Sequence, residues 1–124
     1  RWCATRPAPS SALSPWAARA QFETWVLPRR HQSHFEQLAQ PETRGIAELL
    51  RLTLRKLGVP LEPPAYNLTL HSAPLREPAL PHYHWRIGII PVLGQLGGFE
   101  RATGIHINPT APEAAAAFLR QTEP

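Results

Sequence analysis

Apolar and polar positions along the chain fall into a few readable periods. From Pro41 to Leu57 the apolar residues Ile46, Leu49, Leu50, Leu54 and Leu57 return every three or four positions, which is one face of an α-helix. Pro41 suits the first turn, Gly58 suits the position just past the end, and Pro60 blocks continuation. Glu23 to Leu27 has the β-branched and aromatic content of a strand, stopped at Pro28, and Tyr66 to His71 reads as a second strand. His82 to Pro91 predicts a longer one, in which Tyr83, Trp85, Ile87 and Ile89 alternate with His82, His84, Arg86 and Gly88. That alternation puts both histidines and Arg86 on one face.

The remaining stretches are punctuated by turn formers. Residues 6–20, rich in proline, serine and alanine, read as a loop between extended pieces. Gly94, Gly97, Gly98 and Gly104 mark loops around Phe99 and Glu100, and Ile105 to Asn108 has the content of a short final strand. Thr110-Ala111-Pro112-Glu113 matches a capping box, with a helix to follow over Ala114 to Gln121 whose alanines permit close approach to a sheet. The order strand, strand, helix, strand, strand, loop, helix predicts an α+β fold with a largely antiparallel sheet, in a single domain over 1–124.

Composition narrows the function classes. Fifteen prolines in 124 residues imply short elements. A single cysteine, Cys3, cannot form an internal disulfide, and no run of about 18 apolar residues is present to span a membrane, so the expected location is cytoplasmic. The chain has no methionine and reads as a piece of something longer. Its net charge of +4 favours anionic partners, but Arg29, Arg30, Arg51, Arg55, Lys56, Arg86 and Arg101 are dispersed. That dispersal argues against nucleic acid and leaves phosphate-bearing small molecules open. Arg51, Arg55 and Lys56 read as a solvated helix face.

The densest chemistry is His82-Tyr83-His84-Trp85-Arg86. Alternating histidines on a strand can hold a phosphate while one imidazole attacks phosphorus. They can equally bind a metal with His71 converging from a neighbouring strand, or simply be polar residues on a half-exposed strand. Ser10, Ser11 and Ser14 lack the glycines of a nucleophile elbow, and Cys3 has no catalytic context. Asn67-Leu68-Thr69 is formally a glycosylation sequon, but it lies on an expected strand.

Four blocks of the chain together resemble one family. Ala17-Ala18-Arg19-Ala20-Gln21-Phe22-Glu23-Thr24-Trp25-Val26-Leu27-Pro28-Arg29-Arg30-His31 is similar to the stretch that opens the second half of the galactose-1-phosphate uridylyltransferase family. Tyr66 to Pro74, Tyr83-His84-Trp85, and Gly97 to Pro109 resemble later blocks in the same order. The resemblance implies a histidine-triad-like fold, one of two such halves in each member. Members transfer a nucleoside monophosphate between a nucleotide sugar and a sugar 1-phosphate through a nucleotidyl-histidine, and some relatives are ADP-glucose phosphorylases. The nucleophile belongs to a His-Pro-His-Gly-Gln motif of the amino-terminal half, which this sequence lacks.

The resemblance therefore implies a chain without a catalytic residue of its own, inactive alone. It would hold nucleotide sugar and sugar phosphate in galactose or nucleotide-sugar metabolism, and contact an amino-terminal half, a homodimer partner, or both. Phe99, Glu100 and His106 match positions that contact the sugar, and His71 matches a metal ligand; no cofactor is assigned to the chain, and zinc or iron stays an open option for the full-length protein. Two departures stand out: Arg86 and Gly88 occupy places where many members carry histidine and glutamate, which leaves the metal site incomplete. Two alternatives remain. One is a freestanding histidine-triad hydrolase or transferase with His84 as nucleophile and Arg86 neutralising phosphate; the other is a non-catalytic binding module for nucleotide sugars.

Overall fold

The computed structural model describes residues 10–59, 61 and 64–123. Cys3 and the first part of the expected loop at 6–20 lie outside them. Four strands, β1 (Ser10–Leu13), β2 (Thr24–Pro28), β3 (Tyr66–His71) and β4 (Arg86–Pro91), form one antiparallel sheet in the order β1-β2-β4-β3. Three helices, α1 (Gln40–Gly58), α2 (Gly98–Thr103) and α3 (Pro112–Gln121), complete the α+β architecture.

The sheet's two faces follow from its register. Ile87 of β4 sits between Val26 and Leu70, and Ile89 sits between Thr24 and Leu68, so these side chains point one way. Onto that inner face α1 brings Ile46, Leu49 and Leu57, and α3 brings Ala116 and Leu119, joining Ala12, Val26, Trp85, Ile87 and Ile89 in one core. The small side chains of Ala115 and Ala116 are buried, which brings α3 close to its neighbours. Each large apolar side chain fully buried here contributes about 1.5–3 kcal/mol.

Several expectations need correction. Part of the expected loop is β1, whose Ser10 and Ala12 are small enough to be buried against the core while the strand pairs with β2. The strand expected from His82 starts only at Arg86. The Trp85 N–H is taken by the Gln32 carbonyl and the Tyr83 N–H by the Leu80 carbonyl, so neither is free for the ladder. Gly58 is the last helical residue rather than the position beyond, and Val59 caps α1 with ordinary right-handed angles. Phe99 and Glu100 lie on α2, a single short helix, not in a loop. Its end falls at Gly104, whose φ of 71° suits glycine. Ile105 to Asn108 forms no strand, and both isoleucines are exposed. Thr110 does not cap α3: Ala111 is the N-cap, without a side-chain bond, while the Thr110 N–H is drawn to Asn108 Oδ1 at 2.9 Å.

Candidate functional site

Opposite the core, Trp25, Gly88 and Thr69 face outward in a row, set by the register Trp25–Gly88–Thr69 across β2, β4 and β3. A Cβ at position 88 would sit 2.7 Å from Thr69 Oγ1, so the bare Gly88 keeps this row tightly packed. Around it a cavity of about 200 Å³ is lined by Arg19, Glu23, Trp25, Thr69, His71 and Arg86, among others. The Arg86 guanidinium lies over the Trp25 ring, 4.3 Å from its centroid, a cation–π contact worth about 0.5–2 kcal/mol. Burial, Arg86 and Arg19, in that order, lower the pKa of His71 below the ordinary imidazole value.

The loop before β2 is fixed by a buried carboxylate. Glu23 is 3% exposed; its Oε1 accepts from Trp25 Nε1 at 2.9 Å and its Oε2 from the Arg19 N–H at 2.7 Å. Hydrogen bonds to a charged group contribute about 1.5–3 kcal/mol each, and a buried carboxylate requires such partners. Phe22, at a φ of 57°, adopts a backbone conformation that a bulky side chain resists at a cost of order 1–3 kcal/mol. It is held by the turn from the Glu23 N–H to the Ala20 carbonyl and by Asn108, whose Nδ2 donates to the Ala18 and Ala20 carbonyls. Asn108 thereby ties this loop to the segment after α2.

Beside that tie lies a second, larger cavity of about 550 Å³, lined by Arg19, Asn67, Glu100, His106 and Ile107 among others. Two of the three residues expected to contact a sugar, Glu100 and His106, meet here. Phe99 is 53% exposed and lies outside the lining. Arg19 borders both cavities. Carboxylate, imidazole, amide and guanidinium around an open, mixed-polarity space can accept from and donate to hydroxyl groups.

The histidines do not gather as the sequence suggested. His84 precedes β4, packs edge-on against His31 at 5.5 Å between ring centroids, and lies outside both cavities. Its Nε2 sits 2.9 Å from the Pro28 carbonyl oxygen. Because a carbonyl only accepts, Nε2 carries the proton and has no lone pair for attack. His82 is exposed in a turn. Among the described residues no three histidine, cysteine or acidic side chains are placed to hold a metal, and the neighbour of His71 is a guanidinium, which repels a cation. These residues do not fit a metal centre. Arg19, Glu23, Trp25 and Asn108 were given no role from the sequence, since none carries a spacing signature; their place in the resembling blocks was the signal that could have pointed to them.

No family model matches the chain. Over 112 residues it is 40% identical to the ADP-glucose phosphorylase of Arabidopsis thaliana, covering 89% of this chain and 32% of the relative. It is 29% identical to the galactose-1-phosphate uridylyltransferase of Thermotoga maritima, covering 90% of this chain and 38% of the relative. The chain thus spans about a third of the length of the curated relatives it matches. The crystal structure of an ADP-glucose phosphorylase from Arabidopsis thaliana with bound ADP-glucose superimposes with a TM-score of 0.86 at 36% identity, over 94% of this chain and 39% of that one. At 13% identity, a zinc-bound histidine triad family protein from Mycobacterium smegmatis shares the fold, with a TM-score of 0.64 over 94% of this chain and 79% of that one. By sequence and by its histidine-triad-like fold, the chain is similar to the carboxy-terminal half of galactose-1-phosphate uridylyltransferases and ADP-glucose phosphorylases.

Proposed function

We propose that this chain acts as the carboxy-terminal half of a nucleotidyltransferase, holding the sugar portion of a nucleotide sugar or sugar 1-phosphate while another segment supplies the nucleophilic histidine. The observation that carries this reading is the convergence of Glu100 and His106 on one cavity beside Arg19. A carboxylate accepts from paired sugar hydroxyls, an imidazole donates or accepts, and a guanidinium neutralises a phosphate nearby. Relatives named for ADP-glucose phosphorolysis and uridylyl transfer make nucleotide sugars the natural ligand class.

The fold also supports a partner half or a second copy. Tyr66, Leu68 and Leu70 share the core face of edge strand β3 yet remain 48%, 47% and 49% exposed, an apolar patch of the kind that joins sheets. Titration calorimetry of the full chain with ADP-glucose, UDP-glucose and glucose 1-phosphate tests the sugar contacts. At least one ligand is expected to bind, with Glu100→Gln and His106→Ala each weakening it by about tenfold or more. Unchanged affinity in both folded variants would remove the sugar role from this cavity.

A further inference from the structure

We propose that the smaller cavity on the outer sheet face, between Arg19, Thr69, His71 and Arg86, is a binding site for a phosphate-type oxyanion, separate from the sugar cavity. Arg86 supplies the main argument. Its Nε is buried and has no hydrogen-bond partner among the described residues. Its guanidinium stacks on Trp25, so the ring face is satisfied while the in-plane N–H donors remain unspent. An unspent guanidinium at a cavity wall is suited to a bidentate acceptor.

The surroundings favour an anion as well. Arg19 lines the same cavity and is fixed there through its own backbone, bonded to Glu23. Glu23 is the only acidic lining residue, and both of its oxygens are committed, one to Trp25 Nε1 and one to the Arg19 N–H. Two arginines and one carboxylate therefore line the cavity, and each oxygen of that carboxylate already accepts one hydrogen bond. Thr69 Oγ1 makes only a long contact of 3.5 Å to the Gly88 carbonyl, leaving its hydroxyl free to reorient toward a ligand. His71 lines the same cavity, and its imidazole can offer a ring N–H. About 200 Å³ has room for a tetrahedral oxyanion with some of its water. The same chemistry is presented by inorganic phosphate and by the phosphoryl group of a sugar phosphate.

The experiment is a titration of the nitrogen-15-labelled full chain with sodium phosphate at constant ionic strength, with chloride as control, following the Trp25 indole and the Thr69, His71 and Gly88 amides. Saturable shifts confined to these signals are expected, weakened by about tenfold or more in Arg86→Gln and partly retained in Arg86→Lys. Amide dispersion verifies that both variants fold. Competition by glucose 1-phosphate with the same shifts would assign the site to a phosphoryl group, and phosphate binding without such competition would assign it to the free ion. Shifts that do not saturate, that chloride reproduces, or that persist unchanged in Arg86→Gln would overturn the proposal. Because no sugar contact enters the phosphate titration, failure here leaves the Glu100 and His106 reading standing.

Discussion

Ser33 and His34 are buried side by side, at 3% and 1% exposure, and their polar atoms are accounted for. Ser33 Oγ lies 2.8 Å from His34 Nδ1 and accepts from the Leu80 N–H, while His34 Nε2 lies 3.2 Å from the Pro74 carbonyl. The acceptor at Pro74 places the proton on Nε2, so Ser33 must donate to Nδ1. Ser33→Ala strands both Nδ1 and the Leu80 N–H in the interior, and a loss of about 1–3 kcal/mol is expected in denaturant unfolding. His71 behaves oppositely, as a site where charge is resisted. With burial, Arg86 and Arg19 opposing its protonation and Glu23 already committed, its imidazole should titrate below about 6.5 in an NMR pH series. The unfolded chain then takes up this proton more readily than the folded one, so His71 costs stability as pH falls through that value, and Arg86→Gln should raise its pKa. Histidines were visible in the sequence, but their roles were not: His34 is structural, His84 serves the Pro28 carbonyl, and His71 faces a cation.

At the scale of elements, the periodic segments were the legible ones. The apolar stripe of α1 stands where the pattern placed it, because burial on one face leaves a period in the sequence, and the strand Tyr66 to His71 is also found, marked by its aromatic and β-branched content although its apolar face stays half exposed. Elements set by distant partners left no such trace. β1 is made by pairing with β2, and the late start of β4 comes from Gln32 and Leu80 capturing backbone N–H groups across the loop. Lys56 shows the same limit. It was expected on a solvated face, yet its Nζ reaches the C-terminal end of α3 and donates to the carbonyls of Leu119 at 3.0 Å and Thr122 at 2.6 Å. An ammonium at that end also meets the negative pole of the helix. Lys56→Met should cost about 1–2 kcal/mol, and hydrogen exchange should accelerate selectively in α3.

For the whole molecule, the resemblance to one family was legible because four sequence blocks kept their order. The larger cavity was only half legible: Glu100 and His106 were assigned a sugar role by the resemblance, whereas Arg19, although within a resembling block, was given no role and reaches the cavity through a loop fixed by Glu23 and Asn108. No helix among the described residues is long and apolar enough to cross a membrane. Two observations bear on the proposed function: the apolar face of β3 is half exposed, and His84 Nε2 lies 2.9 Å from the Pro28 carbonyl oxygen. Each of these fits a substrate-holding half whose nucleophile comes from elsewhere. The most direct measurement is incubation of the purified chain with radiolabelled UDP-glucose and ADP-glucose, followed by acid and base quenching. No acid-labile, base-stable label is expected on the chain alone, and labelling should appear only when a half carrying the missing motif is added. Label on this chain by itself, lost in His84→Ala, would contradict the reading and identify a self-sufficient enzyme.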